Sequence, residues 1–490
     1  MISWVQHCLK NTQFLIKASI SSSLFHATGS SYQEVGQCDI DILIAKVHVG
    51  SSDDEVFQCL VNDQECSAIQ LSDDLVGKLL HRFKNDWRSA LGSFRWAASH
   101  PGYKHRPDAY DTMIDILGKM KQMDKMREFL EEMRENHLVT LNTVAKVMRR
   151  FAGAGRWEDA VQTFDELGKF GLEKNTKSMN LLLDTLCKEN KVEQAREIFL
   201  ELKSHILPDA HTFNIFIHGW CKVNRGDEAH WTIQEMKGHG CRPCVISYST
   251  IIQSYCQKYN FSKVYELLDE MVAQGCHPNS VTYTIVMCWL SKSQEFEEAL
   301  QIAERMKTER CKPDTHFYNC LIHTLGQAGK VQDAVYVFEV EMLKSGVIPN
   351  ASTYNSMISM FCCHDQEHKA FNVLKEMEDM NLCKPDVQTY YPLLKLCFRT
   401  NFKEGLLSML LNDIVNKHHL SLDLSTYSLL IHGLCKPKVN KIEWAYQLFE
   451  AMIGQDILPR YQTCRLLLDG VRENNMHDAA ERIEDFMKKL

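Results

Sequence analysis

The 490-residue sequence predicts an all-α solenoid, a stack of helix-turn-helix pairs. Three observations predict it. Prolines fall on a lattice: Pro208, Pro243, Pro278 and Pro313 are 35 apart, Pro349 and Pro385 follow at 36, and Pro459 comes 74 later, two steps of 37. Pro107 lies 101 before Pro208, close to three steps of 34. Other side chains keep the step: Ala160, Ala195, Ala229, Ala299, Ala334 and Ala370, then Met133, Met236, Met271, Met306, Met342, Met377 and Met452. Between the prolines, apolar residues recur at helical spacing. Self-similarity at such a period marks units that bury their apolar faces by stacking.

Along the chain, residues 1–33 come first. They contain no Asp or Glu, carry Lys10, Lys17 and a Ser cluster, and read as an organellar transit peptide, although without Arg. Residues 34–70 are mixed and acidic (Asp53, Asp54, Glu55) and read as a linker. Residues 71–106 read as a degenerate capping repeat, 107–460 as an array of about ten repeats, and 461–490 as a partial terminal repeat. In the unit 245–279, Tyr248, Ile251, Ile252 and Tyr255 share one helical face, as do Val264, Leu267, Leu268 and Met271. A polar turn separates the two helices. The second ends in Gly-x-x-Pro, as in Gly240 to Pro243, where Gly suits a left-handed cap and Pro stops the helix.

Composition excludes several classes. The chain is 45% apolar, which argues against wholesale disorder. It has no run of 18 apolar residues to span a membrane. Net charge is −8, so nucleic-acid binding must rest on local placement rather than total charge. The 19 Cys are an odd number scattered through helical positions and read as reduced, buried thiols.

First helices open with Thr-aromatic-polar, as in Thr212-Phe213-Asn214 and Thr426-Tyr427-Ser428, and run on to Cys221-Lys222 and Cys435-Lys436. The tetratricopeptide pattern Trp-x-x-Leu-Gly-x-x-Tyr is missing. The units resemble the pentatricopeptide repeat (PPR), over about residues 71–490. The resemblance implies a right-handed superhelix of the plain type, without an added catalytic domain. It also implies sequence-specific binding of single-stranded RNA, one base per repeat.

Small polar residues occupy equivalent places in the first helices: Asn180, Asn214, Ser249, Thr284, Asn319, Asn355 and Ser428. Short polar side chains in a row can hydrogen-bond base edges. The competing reading is N-capping, although the preceding Thr is also available to cap. In the family the slot residue pairs with the last residue of its repeat. The pairs are Asn180/Asp209, Asn214/Cys244, Ser249/Asn279, Thr284/Asp314, Asn319/Asn350 and Asn355/Asp386. By the family's code they imply the RNA U-Y-A-G-Y-U, bound parallel to the chain, with Y a pyrimidine. Asp111/Thr140, Ala145/Asn175, Tyr391/Asp423 and Ser428/Arg460 are unusual pairs and stay undecoded. Position two, often apolar in the family to sandwich a base, is apolar only at Ile246 and Val281. Lys177, His211, His316, Ser352 and Gln388 replace it elsewhere. Basic residues at first-helix ends (Lys119, Lys188, Lys222, Lys292, Arg399, Lys436) offer phosphate contacts. The competing reading is a solvated charge at a helix C-terminus.

Catalytic signals are weak. Cys241-Arg242-Pro243-Cys244 is a lone CxxC, short of the four ligands of a zinc site. Gly326-x-x-Gly329-Lys330 is too short for a P-loop. No His-x-Glu accompanies the Cys pair, against a deaminase. The expectation is a non-enzymatic, monomeric RNA binder in mitochondria, with the chloroplast as the alternative compartment. It needs no cofactor and no membrane, and it serves processing, splicing or translation factors. A protein-interaction scaffold using the same groove is the competing function.

Overall fold

The computed structural model describes residues 31–47, 50–379, 383–399 and 402–488. Residues 1–30 of the expected transit peptide lie outside them. Among the described residues all regular structure is helical. The chain divides into two bodies, one ending at His277 and one beginning at Pro278.

In the first body the hairpins are Asp73–Arg82 with Trp87–Ser99, Pro107–Lys119 with Met123–Glu135, Leu141–Gly153 with Trp157–Asp165, Thr176–Lys188 with Val192–Leu202, Ala210–Lys222 with Gly226–Gly238, and Val245–Gln257 with Phe261–Ala273. The second body holds Ser280–Lys292 with Phe296–Thr308, a unit opening with Thr315–Gln327, then Ala351–Cys363 with Glu367–Asp379, Val387–Cys397 with Glu404–Asn412, Leu424–Leu434 with Ile442–Gly454, and Tyr461–Glu473 with His477–Met487. Within each body, first helices pack on the first helices of the following units. The chain is thus built of solenoid segments of stacked hairpins.

The repeated positions are core positions. Ala160, Ala195, Ala229, Ala299, Ala334 and Ala370 are fully buried, and so are the periodic Met residues. Ala lets a neighbouring helix approach closely; unbranched Met fills the irregular space left over. Tyr248, Ile251, Ile252, Val264, Leu267, Leu268 and Met271 all point into the hairpin interior. The Gly of the Gly-x-x-Pro terminator takes the left-handed conformation, with φ +74° at Gly240 and +69° at Gly275.

Residues 34–70 are not a linker. They lie in the helices Ser31–Val47, Asp53–Val61 and Gln64–Ser67, and Leu43, Val47, Val56, Leu60 and Cys66 are buried. The acidic run that suggested a solvated segment is the first turn of Asp53–Val61, where the positive helix end favours carboxylates. Ser52 caps that helix by accepting from the Glu55 N–H at 3.1 Å, and Arg95 bridges to Asp53 and Asp54 at 3.2 and 3.1 Å. Residues 461–490, expected as a partial unit, carry both helices of a hairpin, closed by buried Leu467, Val471, Ala480 and Ile483.

Two of the four longer units owe part of their length to a π turn. In the 36-residue unit 315–350, the second helix begins as Val331–Tyr336 and then makes a π turn at Val337–Glu341. The unit 387–423 has a second π turn at Asp413–Lys417. A π turn absorbs one extra residue without ending the helix.

Two predictions follow from packing and burial. A Cβ at Gly433 would come within 2.6 Å of the buried Phe398 ring. Overpacking of this kind costs about 1–3 kcal/mol, against a gain in helix propensity of about 1 kcal/mol. Gly433→Ala is therefore expected to lower unfolding free energy, read as a lower denaturant midpoint.

His105 is buried, stacks on Phe94 with ring centroids 3.6 Å apart, and meets the Phe94 carbonyl through Nε2 at 2.9 Å. Burial depresses its pKa. The folded state thus prefers neutral imidazole, while the unfolded chain protonates near pH 6.5. Its stabilising contribution is whole above that pH and is lost as pH falls below it. The amide protection factors of residues 94–132, intrinsic exchange rate over the observed rate at each pH, should therefore fall from pH 7.5 to pH 5, and His105→Phe, which keeps the stacking, should weaken that dependence.

Candidate nucleic-acid interface

Each first helix needs an N-cap, because its first N–H groups have no partner inside the helix. In most of them the residue that supplies the cap is the last of the preceding unit; Arg106 and Arg460 make no side-chain cap. Asp209, Asn279, Asp314, Asn350, Asp386 and Asp423 each accept from the backbone N–H three residues on, at 2.8–3.0 Å. Cys244 stands at the same place. The Thr that sequence reasoning offered as the cap lies three residues further, at N3. There its hydroxyl accepts from the cap's own N–H, as Thr212 does from Asp209 and Thr353 from Asn350, both at 3.1 Å. This is a capping box with Thr in place of Glu or Gln.

The box then reaches back one unit. Thr212 Oγ1 donates to Asn180 Oδ1 at 2.7 Å, and Asn180 Nδ2 donates to Asp209 Oδ1 at 3.1 Å. Thr353, Asn319 and Asn350 repeat the triangle at 2.6 and 3.3 Å; Thr389, Asn355 and Asp386 repeat it at 2.7 and 3.2 Å. Slot residue, terminal residue and N3 hydroxyl are thus brought together, and the slot amide faces one way. In the unit 210–244, Ser247 Oγ donates to Asn214 Oδ1 at 2.6 Å and meets Cys244 Sγ at 3.5 Å. Burial raises the Asp209 pKa, but hydrogen bonds from Thr212 and Asn180 outweigh it and hold the carboxyl below its usual value. Burial likewise opposes the Cys244 thiolate, and Ser247 and Asn214 more than offset it.

One pair departs from the triangle. Thr284 turns its hydroxyl back to the Ser280 carbonyl at 2.8 Å, and Asp314 caps a helix with Phe317 at N3. Ser249 is half-buried in its first helix, and Asn279 is exposed and capping. Where the slot is Tyr391, the following Thr426 hydroxyl is buried with no partner. Position two is exposed throughout: Ile246 is 70% and Val281 54% exposed, and Lys177, His211, His316, Ser352 and Gln388 also face solvent. Ser428 bonds the Leu424 carbonyl at 2.8 Å.

The basic residues mostly hold the stack. Lys222 donates to the Lys188 carbonyl, the last of the preceding first helix. Arg399 reaches the Cys362 and Cys363 carbonyls at 2.8 and 2.9 Å, and Lys436 the Phe398 carbonyl at 3.0 Å. Lys258 and His364, which sequence reasoning missed, do the same to Asn224 and Gly326. The Lys and Arg residues thereby place positive charge on the negative end of the neighbouring helix. Lys119 bonds Asn85 at 2.6 Å, Lys188 pairs with Asp184 at 2.6 Å, and Lys292 lies over the Trp289 ring at 4.3 Å. The competing reading, a charge at a helix C-terminus, is therefore closer to the observed contacts, except that the helix end is the neighbour's.

An all-helical stack with a capped, amide-bearing slot in successive first helices defines a helical-repeat protein. Models of the PPR repeat family match residues 174–222, 208–250, 243–292, 313–363 and 352–399, and a PPR repeat model matches 108–138 and 281–311. A mitochondrial pentatricopeptide repeat-containing protein of Arabidopsis thaliana is 62% identical over 450 residues, 92% of this chain and 88% of the relative. A second from that plant is 49% identical over 430 residues, 86% and 75%. The chain belongs to the pentatricopeptide repeat family. Among solved structures, PPR10 in complex with an 18-nucleotide psaJ RNA element superposes with TM-score 0.55 at 18% identity, over 99% of this chain and 78% of that one.

Replacing Arg399 by Met removes two charge-assisted bonds to the end of the neighbouring first helix. The expected loss is about 1–2 kcal/mol of unfolding free energy, with faster amide exchange in the turn after Cys363.

Proposed function

We propose that this chain binds single-stranded RNA in mitochondria by reading bases with its slot pairs, and that it acts by occupancy rather than catalysis. The observation that supports this most strongly is the slot triangle. In Asn180, Asn319 and Asn355 the amide oxygen and one amide hydrogen are engaged by protein. An amide has two hydrogens and two lone pairs, so one of each is left for a base edge. The slot is thereby oriented before any ligand arrives, which lowers the ordering cost of binding. A peptide groove has no need of such amides in register. The mitochondrial names of the Arabidopsis relatives support the compartment, and the RNA in the PPR10 structure supports the ligand class.

Taken in chain order, the pairs from Asn180 to Asp386 read U-Y-A-G-Y-U. The committed lysines shift the balance of contacts. Affinity rests more on bases and less on phosphates, consistent with a net charge of −8. A bound array would shield the transcript or present it to processing, splicing or translation factors.

The test is binding of the full chain to RNA carrying U-Y-A-G-Y-U, against a scrambled RNA, at two salt concentrations. A preference of about tenfold, roughly 1.4 kcal/mol, is expected to persist at the higher salt. Equal affinity that collapses with salt would leave only electrostatic binding, and no binding would favour the protein scaffold. Ser249→Thr with Asn279→Asp is expected to change the third base from A to G, measured with the two matched RNAs. Aspartate caps as well as asparagine, so the fold should be unaffected.

A further inference from the structure

The slot of the unit 107–140 differs from the others in charge and in occupancy. It holds Asp111, which is only 3% exposed. The Thr143 hydroxyl donates to Asp111 Oδ1 at 2.6 Å, and the Asn142 amide donates to Oδ2 at 2.9 Å. Lys146 lies 3.3 Å from Oδ2, with its side chain 27% exposed. All three partners come from the next first helix, Leu141–Gly153. Both carboxylate oxygens are engaged, and an ionised carboxylate has no hydrogen to donate.

Asn142 stands at position two, where the other units present a side chain free to meet a base. Here its amide is turned onto Asp111. The next slot, in the unit 141–175, is Ala145, a methyl group that is 6% exposed. It offers neither donor nor acceptor. Lys146 follows it directly and is held over the slot before it. A base entering the slot of Asp111 would have to part an ion pair that is largely out of water, leaving a buried carboxylate uncompensated.

We propose that the Asp111–Lys146 pair closes the first slot, so that units 107–140 and 141–175 read no base and recognition begins at Asn180. These units then act as a spacer that covers two nucleotides 5′ of the core without selecting them. This inference rests on the RNA-reading function proposed above and sets where its specificity starts.

The experiment uses the full chain and two RNA pools. One fixes U-Y-A-G-Y-U and randomises the two nucleotides 5′ of it; the other randomises one core position at a time. Sequencing of bound RNA is expected to show less than about twofold enrichment of any base at the two 5′ positions, with clear selection in the core. Selection of one base by about fivefold or more at either 5′ position, with the core also selected, would overturn this inference and leave base reading intact. No selection in either pool would overturn base reading, and this inference with it. A second arm uses Asp111→Asn with Lys146→Ala, checked for helicity. It should gain about threefold or more selection at the second nucleotide 5′ of the core. A folded variant without that gain would overturn the ion pair as what closes the slot.

Discussion

The helix N-cap is the constraint on which the rest of this molecule depends. The free N–H groups at the start of a first helix need acceptors, and most units take one from the end of the unit before, Pro107–Lys119 and Tyr461–Glu473 being the exceptions. Asp209, Asn350 and Asp386 do this, and the Thr at N3 completes the box. Because that hydroxyl also reaches the preceding slot amide, one small cluster joins three duties: starting a helix, fastening two units, and aiming a polar group. Cap and recognition, which look like rival explanations of a Ser, Thr or Asn near a helix start, are successive links of one hydrogen-bond chain.

Where the chain of bonds fails, its logic still shows. Tyr391 cannot accept as an amide does, and Thr426 is left with an orphaned hydroxyl. In the next unit the slot is Ser428, and Thr463 meets His432, one turn further along, at 3.1 Å. With Phe317 at N3, Thr284 bonds to its own helix. The departures are local, because each unit leans chiefly on its neighbours.

Much of the fold was legible in the sequence, since the lattice of Pro, Ala and Met records packing that every unit must repeat. What was illegible lacked that repetition. The helices over residues 34–70 occur once, and their acidic first turn looks like a solvated stretch until Ser52 is seen capping it. The slots were found by their spacing. Their mutual contacts were not, because the bond from Thr212 to Asn180 spans 32 residues. The carbonyl partners of the lysines were hidden for a related reason. A charge at a helix end looks free when the carbonyl it serves lies 34 residues away, as Lys188 does from Lys222.

The π turns at Val337–Glu341 and Asp413–Lys417 lie in second helices, while the slots lie in first helices. An extra residue therefore lengthens the wall of the stack away from the reading positions. In these two units the step from cap to slot, Asp314 to Asn319 and Asp386 to Tyr391, stays the same five residues as Cys244 to Ser249 in a 35-residue unit, so the ruler of the reading face is unchanged while the wall behind it grows.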